Sequence, residues 1–136
     1  MELLPNLLKQ SILAGNYNDT KLLLQKGIRS KSWYSKSLPY DICYMLITEG
    51  HKVTIDHLKS SIKYRPDLVC LFLPYIESAD LTLKILEKAY KYMNIPVIEA
   101  CVSAGIKADE KIHDIISQLQ SDVKNYVLYI LRYSFN

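Results

Sequence analysis

Glycine and proline are scarce in this sequence, at four and five among 136 residues. A sandwich or barrel of short strands needs a turn signal about every 8–12 residues. So thin a supply argues against it and leaves helix as the expected element. Long apolar runs are missing too. No stretch approaches the roughly 18 uncharged apolar residues of a membrane-spanning helix, and Met1-Glu2-Leu3-Leu4-Pro5 has neither a basic leader nor a sustained apolar run. Neither a membrane span nor a signal peptide is expected. Cysteine is limited to Cys43, Cys70 and Cys101, an odd number with no C-x-x-C pair, each set among apolar neighbours. That usage predicts buried free thiols in a reducing compartment, and hence an intracellular protein, cytoplasmic or nuclear.

Charge of one sign is not concentrated either. The 17 basic and 14 acidic residues are interspersed and leave a net charge of +3. No lysine or arginine block tracks a phosphate backbone, so nucleic acid is not an indicated partner. His51, His57 and His113 are scattered, and none stands at ligand spacing with a cysteine or carboxylate. There is no glycine-rich phosphate loop, nucleophile elbow or His-Glu helix motif. The sequence therefore predicts no catalytic, cofactor-binding or metal-binding residues, and no enzyme.

What is present is helical periodicity. Hydrophobic residues make up 49% of the chain and charged residues 23%, the balance of a globular protein. The length suits one domain that buries about two-thirds of its unfolded surface. Apolar spacing gives a helix from Pro5, a turn at Gly15-Asn16-Tyr17-Asn18, and a second helix closed by Gly27. A serine-rich stretch from Arg29 to Leu38 around Trp33 and Tyr34 reads as loop or frayed helix. Pro39 then opens a helix that ends at Gly50. Thr54 caps the next, which breaks at Arg65-Pro66, and the apolar run Leu68–Leu73 ends or kinks at Pro74. A helix over Leu83–Tyr92, a turn over Met93–Pro96, a helix from Val97 closed by Gly105, and a last pair to about Gln120 and from Ser121 to Tyr133 bring the expected number to nine.

These segments repeat. Leu7–Ser30 superposes without a gap on Ile85–Ala108 at an offset of 78, so that Leu8 meets Leu86, Ser11 meets Ala89, Asn16 meets Asn94 and Gly27 meets Gly105. A third copy places Leu58, Ser61, Lys63 and Tyr64 at 28 residues before Leu86, Ala89, Lys91 and Tyr92. A small residue held at Ser11, Ser61 and Ala89 is what close helix approach requires.

A helix carrying Leu8 to Ala14, then Gly15-Asn16, then a leucine-rich helix Thr20 to Lys26 ending at Gly27, resembles a divergent ankyrin repeat. The Thr-Pro-Leu-His opening of that family is absent from every unit and the spacings are irregular. The resemblance implies an all-α chain, an α-solenoid of short antiparallel helix pairs with approximate units 5–28, 29–52, 54–78, 81–107 and 109–136. It also implies a protein–protein interaction module. In such a stack Lys9, Lys59, Lys63, Tyr64, Lys88, Lys91 and Tyr92 would line one basic, tyrosine-bearing concave face, suited to an acidic or amphipathic peptide of another protein. Trp33 and Tyr34 form a second candidate contact. Plainer readings stand beside these. The lysines also fit the solvated side of amphipathic helices, and Trp33 fits an indole folded back onto a gap left by a missing helix. Other helical repeats, such as armadillo, HEAT or TPR arrays, and a compact helical-bundle adaptor of death-fold or Bcl-2-like type are the alternative architectures.

Overall fold

The structure is a computed structural model and describes residues 3–118 and 125–126. Among them are eight α-helices, two 3₁₀ turns and no strand, so the chain is all-α. The helix expected over residues 121–133 lies outside the described residues apart from 125–126. Contacts within the chain gather into two compact units, residues 1–57 and 58–136, where length alone had suggested one.

In the first unit α1 (Leu3–Leu13) and α2 (Tyr17–Gln25) form a hairpin, and α2 packs on α3 (Tyr40–Thr48). The hairpin follows from local chemistry. Gly15 has φ +69° and donates its N–H to the Ile12 carbonyl at 3.0 Å, while Asn16 N–H reaches the Ser11 carbonyl at 2.9 Å. This bond pair closes a helix with a left-handed residue. The Asn16 side chain then accepts the Asp19 N–H at 3.0 Å and starts α2. Ser11 is the small residue at the contact, its Oγ 3.0 Å from Oγ1 of Thr20 on α2.

Helix α4 (Ile55–Tyr64) crosses the division between the units in its first turn. The second unit continues with α5 (Pro66–Phe72), α6 (Leu83–Lys91), α7 (Ile95–Ser103) and α8 (Glu110–Ser117). α6 packs against α7 and α8, and α5 against α7. Pro66 sits in the first turn of α5, where its missing N–H costs nothing, and Pro74 falls in a 3₁₀ turn, Leu73–Tyr75, just past that helix. Leu58, Leu68, Phe72, Leu86, Tyr90 and Ile98 are fully buried. Each of these apart from Tyr90, which carries a polar hydroxyl, stabilises the unit by about 2 kcal/mol relative to exposure.

The offset of 78 is a relation between structures as well as letters. α2 shifted by 78 residues is α7, end for end. Met93 takes the place of Gly15, with φ +55° and its N–H 3.1 Å from the Tyr90 carbonyl. Asn94 caps α7 through the Val97 N–H, as Asn16 caps α2. The buried Ser11–Thr20 pair becomes the apolar pair Ala89–Ile98.

Two expectations are corrected. The turn expected over Met93–Pro96 is shorter, because α7 starts at Ile95 and takes Pro96 into its first turn. Cys70 is exposed, although its neighbours are apolar, because the buried residues of the short α5 are Leu68, Val69 and Phe72; only Cys43 and Cys101 are buried.

Candidate functional site

Within the second unit, α6 carries Lys84, Lys88 and Lys91 at i, i+4 and i+7, which puts all three on one face. They line a groove of about 440 Å³ with Lys63 of α4, Lys111 of α8, Tyr92 and Glu87. Among the described residues Glu87 is the one acid there, and Lys111 already pairs with it at 3.1 Å. Lys63 Nζ lies 4.9 Å from the Tyr64 ring centroid, and Lys91 Nζ 5.8 Å from that of Tyr92, so one cation–aromatic pair recurs 28 residues apart.

The ammonium groups sense one another. Partial burial, then the positive charges of Lys63, Lys59 and Lys91, push the Lys88 ammonium below its usual value. Hydrogen bonding and electrostatic attraction to Tyr64, with a further pull from Tyr92, hold Lys63 above its own. The structure thus gathers Lys59, Lys63, Tyr64, Lys88, Lys91 and Tyr92 into one patch, all six of the residues proposed from the sequence for the basic face in this part of the chain. Lys9 is exposed on α1 in the first unit. Its repeat equivalent is Glu87, and those of Lys91-Tyr92 are Leu13-Ala14. The lysine–tyrosine pair is therefore shared by the α4 and α6 copies of the repeat and missing from the α1 copy.

No family model, curated protein or solved structure matches this chain.

Lys84, Lys111 and Glu87 were not singled out from the sequence. The spacing of Lys84 with Lys88 and Lys91 was a signal for the first. Lys111 arrives from α8 by tertiary packing and leaves no trace in the sequence.

Trp33 is corrected as an exposed anchor: only 3% of it is accessible. Residues 26–39 contain no helix, and the indole fills that gap in the first unit. Its ring lies 4.7 Å from His57, 6.0 Å from His51 and 6.0 Å from Tyr34, in edge-on arrangements. Tyr34 is half-buried beside it, 5.1 Å from His57. Both histidines accept backbone N–H groups, Nε2 of His51 from Ser30 and Nδ1 of His57 from Thr54, each at 3.1 Å. Nδ1 of His51 lies 3.1 Å from the Leu46 carbonyl and donates to it, which fixes the neutral tautomer. Burial lowers the basicity of both rings; Arg29 adds to this at His51 and Asp56 opposes it at His57.

A further groove, of about 510 Å³ between α2 and α3, was missed from the sequence. Exposed Tyr17, Tyr40 and Tyr44 line it with Met45, and its charged residues are Lys21, Asp41 and Glu49, so it carries no basic excess. Tyr40 and Tyr44 stand at i and i+4, a spacing that would have revealed a shared face. Among the described residues no group of three or more His, Cys, Asp or Glu side chains comes together to hold a metal, and no helix is long and apolar enough to cross a membrane. Burial pushes the Cys101 thiol up to about 11, which keeps it protonated and unreactive at neutral pH.

Proposed function

We propose that this chain is a divergent ankyrin-like helical-repeat module that acts by binding, with no chemistry of its own. Its occupant is an acidic segment of another protein. The observation that carries this reading is the concentration of Lys59, Lys63, Lys88 and Lys91 with Tyr64 and Tyr92 on one patch beside a groove. The groove's single acid is already paired. Lysines steer an acidic partner, and tyrosines offer rigid contact area at small entropic cost. The ankyrin-like part of the proposal rests on the matching α1–α2 and α6–α7 pairs, down to their turns and caps.

The test is fluorescence anisotropy with a labelled ten-residue polyglutamate. The expected result is binding that weakens as salt rises and falls about tenfold, equivalent to about 1.4 kcal/mol, when Lys63, Lys88 and Lys91 are all changed to Ala. Circular dichroism checks that this variant keeps its fold. Equal binding by wild type and variant would remove the groove from the proposal.

A further inference from the structure

The cations of the groove are all lysines. Arginine's fixed fork of donors serves carboxylate and phosphate alike, and among the described residues no arginine lines this groove. An ammonium is a compact point charge with three donors free to turn, and several around one cavity suit a tetrahedral oxyanion approached from many sides. The charge balance points the same way. Five lysines stand against one glutamate, and that glutamate is taken by Lys111. This excess of positive charge in one groove is larger than the net +3 of the entire chain. A single carboxylate brings one negative charge, whereas a phosphoryl group brings about 1.5 to 2 at neutral pH on three acceptor oxygens. Burial first, and then the charges of Lys63, Lys59 and Lys91, depress the Lys88 ammonium, and a bound dianion would offset the repulsive part.

The shape favours a phosphorylated protein segment over a nucleic acid. Lys84, Lys88 and Lys91 follow one face of α6, while Lys63 and Lys111 come in from α4 and α8, so the positive charge is confined to one short groove. The two tyrosines beside it each have a lysine ammonium close to the ring, at 4.9 and 5.8 Å, which leaves less of the ring open for a base to stack on. A volume of about 440 Å³ has room for a phosphoryl group and the residue that bears it.

We infer that the groove between α4, α6 and α8 receives a phosphorylated serine or threonine of the partner, held by Lys63, Lys88 and Lys91, with Lys84 and Lys111 at its rim. The inference rests on the acidic-segment reading above and sharpens it: partner binding is switched on by phosphorylation.

The experiment compares three labelled ten-residue peptides, each with four glutamates around a central position occupied by serine, glutamate or phosphoserine. The phosphoserine peptide is expected to bind about tenfold more tightly than the other two. That advantage disappears in Lys63→Gln and Lys88→Gln variants and survives in Lys21→Gln, whose lysine lies in the first unit. If the glutamate peptide matches the phosphoserine peptide, the phosphoryl inference fails while the acidic-segment reading stands. If none of the three binds, both fail. If a single-stranded oligonucleotide or a phosphatidylserine vesicle displaces the phosphoserine peptide and binds more tightly than it, the groove belongs to that ligand class and the inference is overturned.

Discussion

Met93 occupies a backbone conformation that its repeat partner Gly15 adopts freely. A left-handed conformation costs a side-chain-bearing residue about 1–2 kcal/mol, and glycine gives back part of this through its larger entropy loss on folding. Met93→Gly is therefore expected to stabilise the protein by about 0.5 kcal/mol, and Gly15→Ala to destabilise it by about 1 kcal/mol. A Cβ at Gly15 meets nothing closer than Pro39, at an ordinary 3.8 Å, so the cost there is one of backbone conformation. Urea midpoints of the two variants check the pair of signs. Tyr90 shows the second imperfection of the same repeat copy. It replaces the buried Ile12 of the first copy, is itself fully buried, and its hydroxyl has no hydrogen-bond partner among the described residues. Burial pushes that hydroxyl up to about 12. Because a buried unpaired polar group costs about 1–3 kcal/mol, Tyr90→Phe should raise stability by about 1 kcal/mol. A loss of stability instead would mean that the hydroxyl is engaged.

At the scale of elements, what the sequence disclosed was whatever local chemistry controls. Gly27, Gly50 and Gly105 mark helix ends and all have positive φ, and Asn16 and Asn94 start the following helices. The offset of 78 was legible because Leu8, Ser11, Asn16 and Gly27 each serve the hairpin in a way few residues can replace. Pro96 misled, because proline signals a break and a first helical turn equally well. The loop around Trp33 was legible as irregular but not as buried, since its composition is polar and the partners that bury the indole lie about 20 residues further along the chain. The basic patch was half legible. Its pairs on α4 and α6 repeat in the sequence, whereas Lys111 joins by packing alone. Cys70 illustrates the limit of reading neighbours: on a helix as short as α5, apolar residues on either side do not fix which way the residue between them faces.

For the molecule as a whole, acid sensitivity is expected to be concentrated in one of its two units. His51 and His57 both lie in residues 1–57, and each uses a ring nitrogen to accept a backbone N–H. Protonation of either acceptor nitrogen sets N–H against N–H and releases Ser30 or Thr54 from its partner. Both rings have native basicity below the unfolded value of about 6.5. Below that pH the unfolded chain binds more protons than the native one, so the stability tied to these two rings falls as pH drops from about 6.5 through the lower native values and is constant above about 7.5. The charged groups near the pair do not reverse this sign: Arg29 opposes protonation of His51, and the favourable pull of Asp56 on His57 is smaller than the effect of burial. Arg29 also stands 3.8 Å from Glu49 in an exposed pair of little energetic weight. Hydrogen exchange read by mass spectrometry should therefore show residues 26–39 and α3 exchanging faster at pH 5.5 than at pH 7.5, after correction for intrinsic rates, with α6 and α7 unchanged. His51→Gln with His57→Asn keeps side-chain acceptors near the same positions but removes their titration, and should flatten the difference. Equal acid acceleration in α6 and α7 would show that His51 and His57 are not its source, because the remaining histidine of the chain, His113, is exposed on α8.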